Sequence, residues 1–155
     1  MEKFLEYLAQ AEKIIRTADH LIYITYPLLK DKRLLLVILS EMKKALVNCI
    51  NSILQYDYLY KRISLSPDTK TNFETFLNKS SKRFQITNQE LEQIKKLFEF
   101  EESHKNSSME IMKENKIVIL SPDLRQKTIT IEQIKEFLVL SKSILEKTKN
   151  KILNL

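Results

Sequence analysis

Apolar and small residues recur at Phe4, Leu8, Ala11, Ile15, Ala18 and Ile22, the three-and-four spacing of one helix face. A longer repeat places Leu35, Ile38, Met42, Leu46, Cys49, Ile53, Tyr56 and Tyr60 on one side of a second helix, predicted over about 32–62. Leu39, Ile50 and Leu54 widen that stripe to about half the circumference, which only a helix packed against two neighbours needs. The second helix is therefore expected at the centre. Between the two repeats lies HLIYITYPLLKDKRLLLVIL (20–39), the most apolar stretch of the chain. Lys30, Asp31, Lys32 and Arg33 interrupt it, and charges at a bilayer midplane are costly enough to exclude a membrane span. Pro27 disfavours helix at the residue before it, so the first helix is predicted to end near Tyr26. The stretch then reads as the top of a helical hairpin spanning about 3–62.

Beyond the hairpin, Ser66, Pro67 and Asp68 have the chemistry of a turn and an N-cap, opening a short helix over about 68–80 with Phe73, Phe76 and Leu77. Thr87 and Glu90 form a capping box that starts a helix over about 88–105, with Leu91, Ile94, Leu97 and Phe98 on its apolar face. The period then changes. KIVIL (116–120) and KTIT (127–130) flank the turn-forming SPDLRQ and predict a β-hairpin over about 116–130. A second capping box, Thr130 with Gln133, opens the last helix, predicted over 131–153. Ile131, Ile134, Leu138, Ser141, Leu145, Thr148, Ile152 and Leu155 alternate there by three and four, a heptad seam. Its partner is either the second helix of the same chain or the same helix of a second copy. The fold class expected is mainly α, a single antiparallel helical bundle of about four long helices with a short β-hairpin before the C-terminal helix.

Composition narrows function more than it narrows fold. With 155 residues and 43% apolar content the chain can bury a real core. It contains no glycine, which removes phosphate-cradling loops, dinucleotide fingerprints and nucleophile elbows, all of which need backbone conformations that glycine supplies. One cysteine forms no internal disulfide, and the acidic start MEKFLEYL is unlike a secretory leader, so a cytoplasmic location is expected. The net charge of +6 comes from an excess of three in residues 1–64 and three in 108–155, with none in 65–107. No basic stripe forms along the last helix, where Lys142 and Lys149 fall opposite Lys147 and Lys151 at about 100° per residue.

Candidate chemistry is sparse. Glu101 and His104 make the E-x-x-H spacing of di-iron bundles, but the only other histidine, His20, follows Thr17 at that spacing, so the second half of such a site is missing. A solvated helix end is the expectation for Glu101 and His104, and no metal or other cofactor is expected. Arg16, Asp19 and His20 share a helix face turned away from the core and read as an ion cluster. Asp57 falls on the apolar face of the second helix and needs a partner, for which the terminal amine, Lys3 or a tyrosine of YDYLY (56–60) is proposed, with a small polar pocket as the alternative. Lys30, Lys32 and Arg33 cluster at the hairpin top, and Arg125 and Lys127 flank the β-turn, two places where phosphate or an acidic protein can be met.

The segments AEKIIRTADHLIYITYPLLKDKRLLLVILSEMKKALVNCINSIL and KIVILSPDLRQKTITIEQIKEFL resemble a group of small uncharacterised archaeal proteins. The first also resembles the HEPN class of helical bundles, some of which are ribonucleases with an arginine followed by a histidine on a central helix. Here three residues separate Arg16 from His20, a closer spacing than that signature, and the pair sits on the first helix. Three functions follow as expectations. The first is a non-enzymatic interaction or scaffold module with a protein partner or a homodimer. The others are a HEPN-like nucleic-acid-associated bundle and an enzyme with a polar site near Asp57.

Overall fold

The computed structural model describes residues 2–107, 109–113 and 116–154. Helix α1 (Lys3–His20) continues through a π-helical turn (Leu21–Thr25) into α2 (Tyr26–Leu29), and α3 (Arg33–Leu59) returns antiparallel. Next come α4 (Thr69–Thr75), a second π turn (Phe76–Ser80) and α5 (Ser81–Arg83), then α6 (Asn88–Lys105). Strands β1 (Met109–Lys113), β2 (Lys116–Leu120) and β3 (Gln126–Thr130) precede α7 (Ile131–Leu153). The fold is mainly helical, with an antiparallel sheet before the C-terminal helix.

Leu8, Ala11, Ile15, Ala18 and Ile22 are buried along the first helical arm, and the alanines let α1 and α3 approach closely. Helix α3 is central, packing on α1, α6 and α7 as the width of its stripe predicts. Its stripe is buried from Leu35 to Leu54, whereas Tyr60 is exposed and Tyr56 only partly covered. Pro27 does not end the first arm. The π turn pairs the Tyr26 N–H with the Leu21 carbonyl five residues back, and this shift of register absorbs the donor that Pro27 lacks. The arm ends instead at Lys30, left-handed at φ 52°, whose N–H bonds to the Tyr26 carbonyl at 2.7 Å.

Both capping boxes form. The Glu90 N–H donates to Thr87 Oγ1 at 3.1 Å and the Thr87 N–H to Glu90 Oε1 at 3.0 Å; Thr130 and Gln133 repeat the pattern at 3.2 and 2.9 Å. The predicted hairpin is the β2–β3 part of a three-stranded sheet, with Lys116 opposite Thr130 and Leu120 opposite Gln126. The added strand β1 pairs with β2, Met109 opposite Leu120 and Lys113 opposite Lys116. Its sequence MEIMK carries one β-branched residue, too weak a signal to read as a strand. Ile117, Ile119 and Ile129 are buried between the sheet and the helices. On α7 the seam from Ile131 to Ile152 is buried in the chain's own bundle; Leu155 lies outside the described residues. Ser141 and Thr148 fit there because their hydroxyls donate to the carbonyls of Phe137 at 2.8 Å and Ile144 at 2.7 Å. Among the described residues, no helix is long and apolar enough to cross a membrane.

Candidate functional site

The turn between the two arms of the hairpin decides what its basic cluster can do. Asp31 accepts the Arg33 N–H at 3.0 Å, and its two oxygens take Arg33 Nε at 3.1 Å and Nη2 at 2.8 Å. The bond from the Arg33 side chain, helped by the backbone N–H, holds the Asp31 carboxyl below its ordinary range. Arg33 is thereby used locally. Lys30 and Lys32, by contrast, make no ion pair among the described residues and turn to a cleft of about 640 Å³.

Ile22 and Ile131 floor that cleft, Tyr23, Tyr26 and Pro27 wall it, and Lys135 closes it from α7 with its ammonium 5.7 Å from the Tyr23 ring. The π turn sets this geometry, because a locally widened helix rotates the residues that follow it relative to those before. Beside the cleft the tip leaves Ile24, Leu28 and Leu29 uncovered, Leu28 at 78% exposure and Leu29 at 65%. Contiguous exposed apolar side chains rimmed by charge mark an interaction surface more often than a catalytic one.

The other candidates are dispersed. Arg16 is exposed, Asp19 reaches across to Lys142 on α7 at 2.7 Å, and His20 Nδ1 meets Thr25 Oγ1 at 3.4 Å, so the predicted trio does not form one site. Arg125 pairs with Asp123 at 3.0 Å, and Lys127 lies back on α6, 3.9 Å from Glu99 and over the Phe100 ring. Glu101 is no solvated helix end. It is 3% exposed and accepts from Ser40 Oγ at 3.0 Å, while His104 turns the other way to Glu110 on β1 at 2.5 Å. Among the described residues no group of three metal-ligating side chains converges.

Asp57 is fully buried, as its place on the stripe predicts, but its partner is not on α1. Arg83 Nε and Nη2 donate to Asp57 Oδ2 at 3.0 and 2.7 Å, and Arg62 Nη1 lies 3.6 Å from Oδ1. Lys3 and the tyrosines are not its partners, and the terminal amine belongs to Met1, outside the described residues. The folding-back of α5 brings Arg83 there, a long-range contact that helical periodicity does not encode. Arg62 in turn stacks near Tyr56 and Tyr60, 5.9 and 5.5 Å from their centroids. The Asp57 side chain has no exposed surface.

Sequence reasoning missed Tyr23, Tyr26, Lys135 and Arg83. A carboxylate on an apolar face demands a cation, and that demand was the one available signal for Arg83. No protein-family model, curated protein or solved structure matches the chain.

Proposed function

We propose that this chain is a non-enzymatic interaction module that docks a partner protein through the tip of the α1–α3 hairpin. The observation that carries the reading is the exposure of Ile24, Leu28 and Leu29 next to a cleft edged by Lys30, Lys32 and Lys135. The complement is a segment with apolar side chains flanked by acidic ones. A second copy meeting tip to tip would oppose lysine to lysine, and the α7 seam is already spent within the chain, so a different protein suits the surface better than a homodimer.

The test is a Leu28→Asp/Leu29→Asp double variant, whose exposed positions should leave stability within about 0.5 kcal/mol of the parent. Proteins captured from the source cells are purified and titrated against both forms. A captured protein that rebinds the purified chain, and binds the variant at least about tenfold more weakly, supports the reading. Absence of any rebinding, or equal affinity for both forms, sinks it.

A second reading, nucleic-acid association of the HEPN-like kind, is favoured by one specific grouping: Tyr23 and Tyr26 beside Lys30, Lys32 and Lys135. Aromatic faces next to cations suit unpaired bases and their phosphates. Fluorescence anisotropy with single-stranded RNA and duplex DNA, at low and physiological salt, tests it. Salt-sensitive binding weakened by Tyr23→Ala and spared by the leucine variant would move the assignment to nucleic acid.

A further inference from the structure

At the end of α3 far from the tip, a second feature stands independently of that reading. Arg83 spends Nε and Nη2 on a single oxygen of the buried Asp57, which fixes the guanidinium and leaves its Nη1 edge turned away from the carboxylate. Arg83 also lines a cavity of about 210 Å³, together with Phe84, Gln85, Lys147, Asn150 and Lys151. Its walls carry three cations and two amides, and no carboxylate lines it. Two of these cations are already paired outside the lining, Arg83 with Asp57 and Lys147 with Glu90, which positions both; Lys151 makes no ion pair among the described residues. The cavity is larger than a single water needs and can admit a tetrahedral oxyanion.

We propose that this cavity binds a phosphoryl group. Arg83 supplies a fork held in place by Asp57, Lys151 supplies charge from α7 with no ion pair among the described residues, Lys147 adds an ammonium shared with Glu90, and Asn150 and Gln85 supply amide donors. The buried carboxylate keeps the arginine side chain from collapsing into solvent, so part of the ordering cost of binding is met before the ligand arrives.

Titration calorimetry of the full chain against inorganic phosphate, adenosine monophosphate and an oligonucleotide lacking terminal phosphate tests the proposal, in a low-salt chloride buffer. A Kd of about 1 mM or tighter is expected for phosphate or the monophosphate. The tighter of these two ligands identifies a free ion or a phosphomonoester as the source. Lys151→Glu is exposed and outside the Asp57 pair, so it should fold, and it should weaken binding at least about tenfold. Lys96→Glu, an equal charge change on the exposed face of α6, should leave affinity unchanged. Absence of binding by both phosphates at about 10 mM overturns the proposal. So does equal weakening by the two lysine variants, or binding only of the oligonucleotide, whose phosphates are all diesters.

Discussion

Asp57 and Arg83 form an unequal pair, and the inequality predicts how each substitution behaves. Asp57 is fully buried while the Arg83 side chain is 32% exposed. Arg83→Ala strands a carboxylate in the core with only Arg62 nearby and is expected to cost about 3–5 kcal/mol. Asp57→Ala frees an arginine that can turn to water, at an expected cost of about 1–3 kcal/mol. Urea unfolding of both variants measures the order, and a larger loss for Asp57→Ala would mean that the carboxylate is not the trapped charge. Cys49 is a simpler case. Burial pushes its thiol up to about 12, and the thiolate is the reactive form. Ellman's reagent should leave Cys49 untouched in the native protein at pH 8 and modify it fully in denaturant. Rapid native labelling would show that the α1–α3 interface opens locally.

Among the elements, those stabilised by local contacts were legible and those defined by distant ones were not. The stripes of α1, α3 and α7 and both capping boxes follow from spacing, because a helix hydrogen-bonds to itself and its burial face repeats with its own period. Strand β1 depends on β2 for every ladder bond, and the π turns depend on how the arms pack, so neither leaves a strong local mark. The same divide separates the candidate residues: Lys30 and Lys32 stood out as a charged break in an apolar run, whereas Lys135 joins them only because the start of α7 lines the same cleft. Glu90 belongs to both sides, capping α6 by local rule and receiving Ser143 Oγ at 2.7 Å and Lys147 from α7. Burial pushes its carboxyl up, but the bonds from Lys147, the Thr87 N–H and Ser143 outweigh this and hold it below the ordinary range. A group lowered in the folded state stabilises fully above its unfolded value of about 4.3 and loses that contribution as pH falls through the folded value. Glu90→Gln keeps the capping box and loses the charge. Its thermal midpoint should fall below the parent's at pH 7, and the gap should close below the folded value. A pH-independent gap would assign the loss to packing.

Across the whole molecule, positive charge divides into a part that is paired between helices and a part that is not. Lys142 with Asp19, Lys149 with Glu12 and Lys147 with Glu90 tie α7 to α1 and α6, while Lys30, Lys32 and Lys135 at the tip make no ion pair among the described residues. Solvent-accessible pairs contribute about 0–1 kcal/mol each and are screened by salt, so the apolar core carries the stability. Raising ionic strength from about 0.05 to 0.5 M should therefore shift the thermal midpoint by only a few degrees. Binding at the tip should respond differently, because steering of an acidic partner by unpaired lysines weakens over the same range. Calorimetric scans and partner titrations on one salt series separate the two responses. Affinity that falls steeply while the midpoint holds places the electrostatics in recognition. A parallel fall in both would mean that the interhelical pairs hold the tip in shape, and that the lysines act through the fold before they act on a partner.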